Sequence, residues 1–91
     1  METPQQKFHE ALLGDGFIKT DDKYTVQRPC GTFHAHIGDA FITMSLANDS
    51  KCAECATTYN DALALFTNNH IQFDAIMRIM MHKLYTTLSN E

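Results

Sequence analysis

Between Thr32 and Leu46, apolar and polar residues alternate on either side of Gly38-Asp39. A period of two marks a strand with one buried face. A glycine-containing pair between two such runs marks a hairpin. Glycine at the first central position suits a two-residue type II′ turn. That turn sets Ile37 against Ala40, Ala35 against Ile42 and Phe33 against Met44, all on one face. His36 then lies opposite Phe41, and His34 opposite Thr43, on the other face. Turn chemistry and alternation agree, and that agreement supports the register.

The flanking segments add two further strand signals. Tyr24 to Arg28 alternates and stops at Pro29. Phe17-Ile18 opens a short extended piece broken by Asp21-Asp22-Lys23. Thr3, Pro4 and Gln6 form a helix start, with Phe8, Ala11 and Leu12 at helical spacing and Gly14-Asp15-Gly16 as the stop. This places a first helix at about residues 4–13. Asn48-Asp49-Ser50 is a cap cluster. Cys52, Cys55, Ala56, Tyr59, Ala62, Leu63 and Phe66 follow at helical spacing, which predicts a second helix over about 51–67.

Asn68-Asn69 separates it from a third helix, at about 70–88. The third carries a stripe of Phe73, Ile76, Met77, Met80, Leu84 and Leu88, and Ile71, Ala75, Ile79, Met81 and Tyr85 widen its apolar surface. The expectation is an α+β fold of α-β-β-β-α-α order, with a small three-stranded antiparallel sheet packed on the helices in two layers.

Ninety-one residues allow one domain over 1–91. The chain is 44% apolar and 20% charged, which excludes a disordered tail, a collagen-like chain and a disulfide-dense scaffold. No apolar run approaches the roughly 18–20 residues that span a bilayer. Met1-Glu2-Thr3-Pro4 lacks the basic-then-apolar pattern of a secretory leader. Three cysteines, an odd number, read as reduced thiols or ligands, so a cytoplasmic location is expected. The net charge is −4 with no basic cluster, which works against binding a phosphate backbone.

Three chemical readings of the cysteines and histidines follow. Cys52-Ala53-Glu54-Cys55 has the spacing of half a zinc site, and Cys30, His34 and His36 are the remaining candidate ligands. The set carried forward is Cys30, His34, Cys52 and Cys55. Against it, the hairpin register turns both histidines away from the helices, while both cysteines sit on the core stripe of the second helix. The plain alternative is small buried thiols and surface histidines.

Residues 40–66, a strand followed by a CxxC at a helix start, resemble the redox motif of thioredoxin-like folds, which would activate Cys52. No proline follows Pro29 to stand beside a disulfide there. The α-β-β-β-α order with Ser50-Lys51 at a helix start resembles a double-stranded-RNA-binding domain. That family grips phosphates with a basic cluster, whereas Cys52, Glu54 and Cys55 follow Lys51 here. There is no nucleophile elbow and no phosphate-binding glycine loop.

Two surfaces suit a partner. Methionine-rich helix surfaces repack easily, so Ile79, Met80, Met81 and Tyr85 are candidates for a homodimer or partner interface. On the polar sheet face, His34, His36, Phe41 and Thr43 are candidates for partner contact. The expected function is a small non-enzymatic modulator or inhibitor that binds protein and occludes a surface of a macromolecular target. In build it is similar to phage and mobile-element inhibitors such as anti-CRISPR proteins. The alternatives are a small zinc-binding module or a double-stranded-RNA-binding-like domain. Neither nucleic acid nor a membrane is an expected partner.

Overall fold

Thr3 Oγ1 accepts a hydrogen bond from the Gln6 amide at 3.2 Å in the computed structural model, which describes residues 3–90. This cap, with proline in the first turn, starts α1 (Pro4–Gly14), which buries Phe8 and Leu12. Gly16, at φ 97°, turns the chain into β1 (Ile18–Thr20). Asp21, at φ 55°, lies in the turn to β2 (Lys23–Arg28). Pro29-Cys30 then leads into β3 (Gly31–Ile37). Gly31 sits at φ 144°, and a Cβ there would lie 2.5 Å from the Ala47 carbonyl oxygen, so the strand can approach its neighbour only as glycine.

β4 (Phe41–Ala47) and β5 (Cys52–Thr58) follow, then α2 (Tyr59–Asn69) and α3 (Phe73–Ser89). The five strands form one antiparallel meander in the order β1-β2-β3-β4-β5. The class is α+β, with five strands where three are expected. The two additional strands are β1 and β5.

β5 occupies the first half of the expected second helix. Cys52, Cys55, Ala56 and Tyr59 match helical spacing only because Ala and Cys are small and fit either period. The buried or half-buried positions are Ala53, Cys55 and Thr57, a period of two. β4 lies inside the sheet, and pairing with β5 supplies partners for its second row of backbone groups. The true helix start is Thr58, whose Oγ1 accepts from the Asp61 amide at 3.1 Å. Asn48-Asp49-Ser50 caps no helix; the Asn48 side chain instead closes the β4–β5 turn by accepting from the Ser50 and Lys51 amides.

The β3–β4 register also moves. Ile37 pairs with Ile42, Ala35 with Met44 and Phe33 with Leu46. The turn is centred on Asp39-Ala40, and Gly38 N–H donates to the Phe41 carbonyl at 3.0 Å. Tyr59 anchors this position: its amide donates to the Ala40 carbonyl at 3.1 Å and its hydroxyl to the Gly38 carbonyl at 2.5 Å. A slip of two residues preserves side-chain parity, so both faces keep their expected character.

The inner face carries Tyr24, Val26, Phe33, Ala35, Ile42, Met44, Leu46 and Ala53, all buried. It shares one core with Phe8 and Leu12 of α1, Ala62 of α2 and the α3 stripe. That stripe, Phe73, Ile76, Met77, Met80, Leu84 and Leu88, is buried in full. α3 lies against β4 and β5, and α1 beside it against β3. Phe8 meets Phe73 edge-to-face at 4.9 Å, and the His9 ring bonds the Tyr24 hydroxyl, fastening α1 to β2.

Two substitutions test this packing by urea denaturation. Met80→Ala is expected to cost about 2–5 kcal/mol, the range for emptying a buried site. Thr58→Ala is expected to cost about 1 kcal/mol, the value of a helix cap. A second helix that began near residue 51 would make the Thr58 change almost silent.

Candidate functional site: the open sheet face

Antiparallel pairing places side chains in rows across the sheet. Ile18, Thr25, His34, Ser45 and Glu54 form one outward row. Thr20, Lys23, His36, Thr43 and Ala56 form the next. Gln27, Thr32, Ala47 and Cys52 form a third, and Phe41 stands opposite Thr58. A five-strand row extends about 19 Å at the usual strand spacing.

The face is rich in hydroxyls and low in charge. In these rows only Lys23 and Glu54 are formally charged when histidine is neutral. Ile18 is 69% exposed and Phe41 44% exposed, so two large apolar groups point outward. Thr25 and His34 hydrogen-bond through Oγ1 and Nδ1 at 3.2 Å, which orients that imidazole. Thr43 Oγ1 donates to the His36 carbonyl at 3.4 Å. Two shallow concavities meet at Lys23: one runs along Ile18, Thr20 and Thr25, the other past His34, His36, Thr43 and Glu54.

Of the sequence-predicted partner contacts, His34, His36, Phe41 and Thr43 all lie on this one face. His36 and Thr43 are directly paired; Phe41 stands near the hairpin end. Ile18 was missed as part of the surface. Its strand is only three residues long, so there is no alternation from which to read a face.

The expected helix interface divides differently. Met80 is in the core, and Met81 is half-buried against it. Ile79 and Tyr85 are 53% and 49% exposed. They lie roughly 120° apart around the helix, so the four residues form no common patch. Tyr85 shares its flank with Arg78, which pairs with Asp15 at the end of α1 and with Asp74 one turn back. Ile79 shares its flank with Lys83, whose charge acts on Cys55 of β5.

The candidate metal ligands are not brought together. Cys52 and Cys55 are three apart on a strand, so they point to opposite faces. Cys52 is exposed, whereas Cys55 and Cys30 are half-buried against the core. Among the described residues, no group of three or more His, Cys, Asp or Glu could hold a metal ion. The same strand removes the thioredoxin-like arrangement, because no helix begins at Cys52. It removes the RNA-binding resemblance too: five strands separate α1 from α2, and Ser50-Lys51 opens a strand. Burial pushes the Cys55 thiol above its ordinary range, with the Lys83 charge acting in the opposite direction.

No protein-family model, curated protein or solved structure matches this chain. Among the described residues, no helix is long and apolar enough to cross a membrane.

Alkylation followed by peptide mass mapping separates the cysteines. Near neutral pH, Cys52 is expected to label well before Cys55, because one is exposed and the other is half-buried with its thiolate disfavoured. Equal rates would place both thiols on one accessible surface and contradict the strand.

Proposed function

We propose that this chain is a small, non-enzymatic, cytoplasmic binding protein that lays its open sheet face against a protein target and occludes a surface there. The observation that carries the reading is the composition of that face. Ile18 projects at its β1 edge and Phe41 at its β3–β4 hairpin end, and Thr20, Thr25, Thr32, Thr43 and Ser45 lie on the same face. Removing water from hydroxyls and short side chains costs much less than stripping charges, provided the hydroxyls find partners. A mixture of exposed apolar and uncharged polar side chains is ordinary in a protein interface.

The same face is poorly suited to a phosphate polymer. Lys23 is the basic side chain in its strand rows, and the same face carries the acidic Glu54. Nucleic-acid footprints need several cations along one track. His34 and His36 stand on neighbouring outward rows of this face. In the proposed role they are contact residues beside Thr43 and Phe41.

The test uses the full chain as bait at matched expression. Wild type is expected to retain a stoichiometric protein. Phe41→Asp and Ile18→Asp are expected to lose it while their melting curves stay close to wild type. Leu63→Asp, on exposed α2 surface, serves as the control and is expected to retain it. Loss in the control with retention in both face variants would move the binding surface to the helices. Failure to retain any stoichiometric protein would sink the reading.

A further inference from the structure

The two edges of the sheet are unlike. β1 is three residues long, and its turn carries Asp21 and Asp22. β5 is seven residues long, pairs with β4 without a bulge, and contains neither proline nor lysine. Natural edges are usually blunted by such devices, because an unpaired row of backbone groups is a template for another strand. Among the described residues, no strand pairs with the outer side of β5.

The hydrogen-bond pattern shows which groups are free. Tyr59 N–H donates to Ala40 and Asn48 N–H to Lys51, which fixes the phase of the β4–β5 ladder. In that phase Ala53, Cys55 and Thr57 point their N–H and C=O toward β4. Cys52, Glu54 and Ala56 point theirs outward, as does the Thr58 N–H.

We propose that β5 pairs antiparallel with β5 of a second copy, about a two-fold axis through Cys55. This is the one symmetric register that pairs the whole of Cys52–Thr58. It sets Glu54 opposite the partner's Ala56 and Cys52 opposite the partner's Thr58, all with outward-pointing backbone groups. Glu54 therefore never faces itself, as it would if the axis passed through residue 54. Like charges directly opposite destabilise a pair.

The second observation is on α3. Ile79 is 53% exposed and shares the flank of Lys83, whose charge acts on Cys55. Two-fold pairing of β5 brings the two α3 flanks, each with Ile79 and Lys83, toward each other beneath the joined sheet. The outer faces become one continuous ten-stranded surface. The proposal is independent of what binds that surface.

Sedimentation velocity over a concentration series tests it, with far-UV circular dichroism as the fold control. Wild type is expected to sediment as a dimer at the upper concentrations. Ala56→Pro removes an outward N–H that the single copy does not use, and is expected to remain folded and monomeric. Ala56→Glu sets a carboxylate against the partner's Glu54 and is expected to abolish the dimer. The double variant Glu54→Lys/Ala56→Glu sets opposite charges across the same pair and is expected to restore it. Copper-catalysed oxidation is expected to cross-link copies through Cys55, which a non-hydrogen-bonded pair brings within disulfide range, and to fail in Cys55→Ser while persisting in Cys52→Ser. A wild-type monomer at every concentration overturns the proposal. So does a dimer that ignores the residue 54 and 56 charges, or one cross-linked through Cys52 alone. A monomer whose β5 amides are protected only when another protein is bound would give the edge to that protein and overturn self-pairing.

Discussion

Burial of one side of the β3–β4 hairpin beneath α1 and α3 is the constraint from which the rest of the molecule follows. Phe33, Ala35, Ile42, Met44 and Leu46 share a single core with Phe8, Leu12, Met77, Met80 and Leu84. Because side chains alternate along a strand, committing these residues inward commits His34, His36, Thr43 and Ser45 outward. Every strand added on either side inherits the same parity. The open face is therefore a direct consequence of the core, and its residues are those the core cannot use.

Tyr59 joins the parts that this parity leaves unconnected. It ends the sheet, begins α2, and bonds both the Gly38 and Ala40 carbonyls at the tip of the β3–β4 hairpin. Its ring also lies near Phe8 of α1. Backbone and side chain of one residue thus tie the hairpin turn, the start of α2 and the first helix together. The sheet that results has one blunt edge and one regular edge. All three helices share one core with the inner face, so binding through the other face and association through the β5 edge are compatible in one molecule.

Much of this was legible in the residues. Thr3-Pro4 starts α1, and the six-residue stripe from Phe73 to Leu88 is the buried face of α3. The four candidate contact residues on the sheet share a face because alternation alone decides that. β5 was not legible. Cys-Ala-Glu-Cys-Ala-Thr-Thr has no large apolar residue to reveal a period, and its spacing satisfies a helix as well as a strand. The redox reading rested on that helix and went with it; the metal reading rested on the CxxC spacing, and a strand turns Cys52 and Cys55 to opposite faces. Ile79, Met80, Met81 and Tyr85 looked like one surface by composition, yet helix geometry puts Met80 inside and sends Ile79 and Tyr85 to different flanks.

Local residue pattern was enough for the parity of the central hairpin, for the first and third helices, and for which side chains face outward. These depend on local period and capping, which neighbouring residues carry within a few positions. Contacts between distant segments are what make residues 52–58 extend the sheet, centre the turn on Asp39-Ala40 and turn Cys52 and Cys55 apart. The physical reason is that β4 needs hydrogen-bond partners on both sides, and Tyr59 fixes the turn from nineteen residues beyond Ala40. Such demands come from groups far apart in the chain, and no local pattern records them.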